Sequence, residues 1–259
     1  MRRSWTLSDI EFVARYESMR EDVLPDPFVF TAPTVDHEEY VRLKADARSR
    51  PAGVSGRDFQ EMLDTVARPD IRVVVGGWNP ADFQAGAGRV RLLAVRRGDV
   101  GFLLTQLPGP TAWHSGGYTV TECDAIGLAR MVVDALPDVP AGRHGRIVLV
   151  DEEREHVDRS FGRSGVRDSG DDEMDRARAF SAADIAITGG IRVEQGTSDF
   201  GPRGRVVRTL RWRDLREDGR YVITGERPPV ASGVDGRQLT AAINAEIAVV
   251  VRAIKDERV

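Results

Sequence analysis

Cysteine is almost absent: Cys123 stands alone among 259 residues. No intrachain disulfide can form, and no cysteine-based metal site can assemble within one chain. That scarcity suits a reducing cytoplasm. Lysine is nearly absent too, Lys44 and Lys255 being the only two. No lysine follows a glycine-rich turn, which excludes a Walker-type phosphate loop. Histidine is limited to His37, His114, His144 and His156, in separate segments without the spacing that gathers ligands around zinc. Solvated surface side chains are their ordinary reading. No apolar run approaches the roughly 18 uncharged residues of a membrane span, the stretch from Ile247 to Val251 being far too short. The opening Met1-Arg2-Arg3-Ser4-Trp5-Thr6-Leu7 has the basic start of a signal peptide, but Asp9 and Glu11 break its apolar core, so export by that route is not expected. Basic charge is not in excess either. A net charge of -4 argues against a dedicated nucleic-acid binder, which needs a basic face.

What is present is ordinary globular material, 41% apolar and 30% charged, enough to bury a sizeable core. The length fits one large domain or two fused halves. Ser8-Asp9-Ile10-Glu11 is a capping-box pattern and predicts a helix from Asp9 to about Glu21, ahead of Pro25 and Pro27. Phe28-Val29-Phe30 reads as a short strand. Asp36, with Glu39 three residues on, predicts a second helix to Arg48. Phe59, Met62, Leu63 and Val66 fall at i, i+3, i+4 and i+7, one face of a third helix closed by Arg68-Pro69-Asp70. Strands follow at Ile71 to Val75, Arg89 to Arg96 and Val100 to Leu107, the last two joined by the turn Arg97-Gly98-Asp99, with a short addition at Tyr118 to Thr121. Ala125, Leu128, Ala129, Val132 and Leu136 give another helical stripe.

The second half runs similarly. After a strand at Arg146 to Val150, residues Asp151 to Asp172 are polar and glycine-containing and read as a mobile loop. A helix at Glu173 to Ala183 precedes strands at Ile191 to Gly196, Arg205 to Arg213 and Gly219 to Glu226, and Gln238 to Lys255 forms the last helix. Helix, three strands, helix therefore occurs twice, an internal quasi-two-fold with halves of about 1–143 and 144–259, matched in pattern with weak identity.

Chemistry-bearing motifs are few. Gly162-Arg163-Ser164-Gly165 lacks the spacing of a hydrolase elbow, and Gly86-Ala87-Gly88 lacks the third glycine and helix start of a dinucleotide site, so loop flexibility is the better reading of those glycines. Glu152-Glu153-Arg154-Glu155-His156 and the acidic run Asp168 to Glu173 match neither a zincin nor a calcium loop. The expectation is a non-enzyme without catalytic, metal or cofactor-binding residues. Arg208, Leu210 and Trp212 share one face of the second hairpin, and Arg with Trp is either interface chemistry or arginine stems over a core. The connection from Trp78 through Asn79 to Phe83 carries two aromatics on a loop, where burial against the body is the ordinary fate and partner contact the alternative.

The segments Leu7-Ser8-Asp9-Ile10-Glu11-Phe12 with Leu24-Pro25, Ala67-Arg68-Pro69-Asp70, Ala94-Val95-Arg96-Arg97-Gly98-Asp99 and Asp218-Gly219-Arg220-Tyr221, taken in this order, resemble the EspG family of ESX (type VII) secretion-associated proteins. The resemblance spans nearly the whole chain, each motif being short. It implies a quasi-two-fold α+β fold, a central antiparallel sheet flanked by helices. It also implies a cytoplasmic chaperone that binds the apolar helical tip of a PPE protein in a PE-PPE pair, or another helical-hairpin type VII substrate, and keeps it soluble. Such a chain is expected to be a monomer or weak homo-oligomer that takes neither membrane nor nucleic acid, a nucleic-acid or other interaction module on the Arg-rich hairpin being the alternative. The family's docking surface corresponds here to Trp78, Asn79 and Phe83, to Ser198, Asp199 and Phe200 with the adjoining Arg208, Leu210 and Trp212, and to the helix from Gln238. The chain departs from the family in having Tyr16 near a first-helix tryptophan position and Thr197-Ser198-Asp199 where a Gly-Gln pair is common.

Overall fold

The computed structural model describes residues 3–19, 23–50, 56–149, 169–225 and 227–257, with side chains of the 169–182 helix from 172 onward. Ten strands and six α-helices alternate along it: β1 (Ser4–Leu7), α1 (Asp9–Glu17), α2 (His37–Ser49), α3 (Gly56–Ala67), β2 (Ile71–Trp78), β3 (Val90–Arg97), β4 (Val100–Pro108), β5 (Ser115–Asp124), α4 (Leu128–Asp134), β6 (Arg146–Val148), α5 (Ser169–Ala182), β7 (Ile185–Gln195), β8 (Val207–Leu215), β9 (Arg220–Ile223), β10 (Val230–Gly233) and α6 (Gly236–Glu257). One sheet contains all ten strands, in the order β1-β5-β4-β3-β2-β7-β8-β9-β10-β6, every neighbouring pair antiparallel. The order is mirrored about the β2–β7 seam. On each side a four-strand meander runs outward, and the strand that opens the half returns to the far edge. The α+β architecture with a central antiparallel sheet is the one expected.

Local chemistry explains the element ends. The capping box at α1 is reciprocal, Glu11 N donating to Ser8 Oγ (3.3 Å) and Ser8 N to Glu11 Oε2 (2.9 Å). Asp36 caps α2 through Glu39 N (2.8 Å). The α3 stripe of Phe59, Met62, Leu63 and Val66 is buried, packing with Trp5, Phe12, Phe102 and Tyr118 beneath β3, β4 and β5. The opposite face carries α4 and α6 over Ile71, Val73, Leu92, Ile191 and Trp212. A third cluster joins α5, through Ala177 and Phe180, to Ile147, Tyr221 and Ala231.

Several expectations are corrected. Ser4–Leu7 is an edge strand, with Trp5 and Leu7 buried and Ser4 and Thr6 outward. Helix α1 stops at Glu17, followed by a turn at 18–19; residues 20–22 lie outside the described set. Phe28–Phe30 is no strand. The Gln106 side chain takes the place of a ladder neighbour there, accepting from Val29 N (3.1 Å) and donating to Val29 O (2.6 Å). Strand β7 begins six residues earlier than expected, and β10 was not anticipated. Of the polar stretch 151–172, residues 151–168 lie outside the described set and 169–172 open α5. Among the described residues no helix is long and apolar enough to cross a membrane.

Candidate docking surface

Phe83, the aromatic of the 79–89 connection, sits on a braced loop that follows Trp78 at the end of β2. Asn79 Oδ1 accepts from Ala81 N (3.0 Å) and Asp82 Oδ1 from Ala85 N (3.1 Å), both local turns that fix the backbone. A second loop, 109–114, locks onto it through an antiparallel bridge between Ala85 and Thr111 and a bond from Ala112 N to Gln84 O (2.8 Å). This pairing ties the loop that carries Phe83 to the loop that carries Trp113. The loops approach so closely at Gly86 that a Cβ there would lie 1.8 Å from the Gly109 carbonyl oxygen. Gly86 therefore serves close packing, where the sequence suggested flexibility. Phe83 and Trp113 are nonetheless 51% and 60% exposed. The Phe83 ring stands edge-on to Trp78 (centroids 6.4 Å apart) and lies under the Arg89 guanidinium (4.2 Å). Two large apolar groups held outward by a rigid loop have the form of interface anchors.

Trp113 escaped the sequence reading. Its signal was an aromatic set in the breaker-rich run Pro108-Gly109-Pro110-Thr111-Ala112.

The other predicted site residues divide. Ser198, Asp199 and Phe200 lie on the β7–β8 connection. Because β2 and β7 run antiparallel, with Trp78 opposite Thr188 and Ile71 opposite Gln195, that connection is at the far end of the seam from Phe83. Glu257, in the last turn of α6, organises it by accepting from Gln195 Nε2 (2.8 Å), Ser198 Oγ (2.8 Å) and Asp199 N (3.2 Å). Those bonds hold the Glu257 carboxyl below its usual range, the Ser198 hydroxyl contributing most. Phe200 projects from this loop 78% exposed. Replacing Glu257 by alanine is expected to speed amide exchange through 196–204 while leaving β2 and β3 unchanged, as read by hydrogen–deuterium exchange.

Leu210 and Trp212 belong to the core, 6% and 1% exposed beneath α6. Arg208, on the same face, bridges to Glu246 of α6 at 2.7 Å. Docking through Leu210 and Trp212 is corrected to packing, because the second hairpin turns them onto a helix, while Arg208 stays half exposed at its edge. Gln238 is exposed, but its side chain closes a capping box with Asp235, accepting from Asp235 N (2.8 Å) while Gln238 N donates to Asp235 Oδ1 (2.7 Å).

A cavity of about 270 Å³ lies under α5, lined by Arg143, His144, Phe180, Glu217 and Asp218 among others. Its carboxylate Asp218 is engaged, accepting from Tyr221 Oη (2.5 Å) and Arg143 N (2.7 Å). Burial works against the Asp218 charge, but these bonds outweigh it and hold its carboxyl below the usual range. Burial first, and the Asp218 bond second, push Tyr221 up to about 12. A depressed carboxyl contributes stability above its unfolded value, near 4, and that contribution is lost as pH falls through the folded value. The melting temperature of Asp218→Asn should thus lie below wild type at pH 7, with the gap closing as both are titrated below about pH 4.

A family model described as the EspG family matches residues 9–245. No curated protein matches the sequence. Among solved structures, a chain is similar in fold from "Structure of the Mycobacterium tuberculosis type VII secretion system chaperone EspG5 in complex with PE25-PPE41 dimer". The similarity has a TM-score of 0.56 at 15% identity and covers 98% of this chain and 96% of that one.

Proposed function

We propose, since this chain belongs to the EspG family, that it is a cytoplasmic, non-enzymatic type VII secretion chaperone that holds the apolar helical tip of a PPE-type protein within a PE-PPE pair. The family resemblance supplies the class. The observation that carries the reading in this molecule is the braced loop pair presenting Phe83 and Trp113 to solvent beside Trp78. An exposed helical tip is an aggregation-prone apolar patch, and covering it with rigid aromatics removes that patch from water. The similar complex pairs EspG5 with PE25-PPE41, which agrees with a client of this kind. The chain acts as one domain over 1–259, built from halves of about 1–143 and 144–259, and meets its client as a monomer or weak homo-oligomer. The net charge of -4 and a family match over residues 9–245 favour this reading over a nucleic-acid module on the Arg-rich hairpin.

Co-expression with a PE-PPE pair encoded in the same genome, followed by size-exclusion chromatography with light scattering, tests the reading. A 1:1:1 complex that keeps the pair soluble is expected. Separate elution of every such pair would remove the reading.

A further inference from the structure

The two faces of the sheet are covered unequally. On the α4 and α6 side, α6 packs over β2, β7 and β8. On the other side α3 lies over β3 and β4 and α5 over β6, α5 reaching Leu215 at the end of β8 and Ile185 at the start of β7 through Ala177 and Phe180; among the described residues no helix crosses the middle of β7 and β8 on this side. The registers specify what this thinly covered strip displays. One row across four strands reads Arg91, Gly76, Gly190, Arg211. The next reads Trp78, Thr188, Arg213, and so runs into the aromatic loop. The row on the other side reads Val74, Arg192, Thr209. Two adjacent glycines make a low floor between arginine walls, with Pro27 3.9 Å from where a Gly76 Cβ would stand and Gly190 met by no side chain within 4 Å.

The cations of this strip differ in how they are compensated. Arg192 is paired with Asp26 (2.8 Å) and with Glu194. Arg91 donates to Ala112 O (2.6 Å). Among the described residues neither Arg211 nor Arg213 has a carboxylate partner. Arg213 lies over the Phe180 ring at 5.4 Å, and Arg211 is exposed. Burial first, and the neighbouring Arg211 charge second, lower the Arg213 pKa. Two guanidiniums on one strand face without a carboxylate partner among the described residues, in a chain of net charge -4, form a local cationic patch that an anion would relieve.

We propose that this strip of β2, β7 and β8 is the charge-reading part of the docking surface, and that it seats an acidic segment of the helical client, with Arg211 and Arg213 on its carboxylates. This rests on the chaperone reading above and adds to it a criterion for which clients fit: a tip with carboxylates beside its apolar residues. The fork geometry of arginine favours carboxylate over a neutral polar group. Charge pairs at the rim of an interface act on association rate and salt response, while apolar anchors act on residence time.

The test is biolayer interferometry of a PE-PPE pair from the same genome on the wild-type chain and on Arg211→Gln/Arg213→Gln, at 50 and 500 mM NaCl. Wild type should weaken about tenfold or more between the two salts. The double variant should bind about tenfold more weakly at 50 mM and be nearly salt-independent. Arg211→Lys/Arg213→Lys, which keeps the charge and loses the fork, should keep the salt response and part of the affinity. A bound pair whose affinity and salt response are the same in wild type and in the glutamine variant would overturn the inference and leave the chaperone reading standing. A wild type that binds but is indifferent to salt would do the same without any mutation. Failure of every pair to bind wild type would remove both.

Discussion

Trp212→Ala is expected to destabilise the fold by about 3–5 kcal/mol. At this chain length that lowers the melting temperature by roughly 2–4 °C per kcal/mol. Trp212 is opposite Gly189 in the β7–β8 register, and its ring fills space that glycine leaves on two strands. A Cβ on Gly189 would fall 2.4 Å from the ring's Cη2 and 2.3 Å from the Gly76 carbonyl oxygen, and one on Gly77 would fall 2.8 Å from Cζ2. The indole thus spans the seam between the halves, sealed above by α6, and alanine would leave a cavity at the centre of the sheet with rigid strands unable to close it. The indole Nε1 is buried without a hydrogen-bond partner, so Trp212→Phe should cost much less than alanine. Differential scanning calorimetry of both variants checks this. Client affinity, measured on the folded fraction, should be unchanged, since Trp212 is out of reach of any partner.

The opposite pattern is expected of Phe83→Asp/Trp113→Asp. Both side chains lie outside the core on loops whose backbone is fixed by Asn79, Asp82 and the Ala85–Thr111 bridge. Stability should change by no more than about 0.5 kcal/mol per site. Binding to a PE-PPE pair should weaken by about 100-fold or more, because truncating a central aromatic anchor alone costs about 2–4 kcal/mol and each aspartate adds a buried charge opposite an apolar tip. Isothermal titration calorimetry, with circular dichroism of the free variant, reads the two effects apart.

These two variants also show what the sequence could and could not reveal. Periodicity located α3, α4 and α6, and the repetition of helix, strands and helix anticipated two like halves, though not the order of their strands. The residues that carried the family resemblance turn out to be scaffold. Ser8 and Glu11 cap α1, and Asp70 Oδ2 accepts from Gly98 N (2.8 Å), joining two of the motifs. Arg220 forms a buried two-point pair with Asp214 (2.7 and 2.8 Å), and Tyr221 binds Asp218. Such residues signal the fold because their geometry admits few substitutes.

The docking surface was legible only in part, since a loop aromatic reads the same whether buried or exposed, and exposure is decided by tertiary packing. For Trp212 on its strand and Phe83 on its loop alike, burial and partner contact both stayed open in the sequence; one lies under a helix and the other is half exposed. Strand β7 was cut short because Gly189-Gly190 reads as a break, although in the sheet it passes under Trp212 and beside Gly76. The inequality of the two sheet faces, which leaves Arg211 exposed and Arg213 half-buried against Phe180, depends on where helices far apart in sequence come to lie.

The measurement that bears most directly on the account is hydrogen–deuterium exchange of the chain alone and in complex with a PE-PPE pair. Slowed exchange should be concentrated in 79–89, 109–114 and β8, with α4 and the outer face of α6 unchanged. A stable complex in which those loops exchange as fast as in the free chain, while protection appears over α4 and α6, would contradict it.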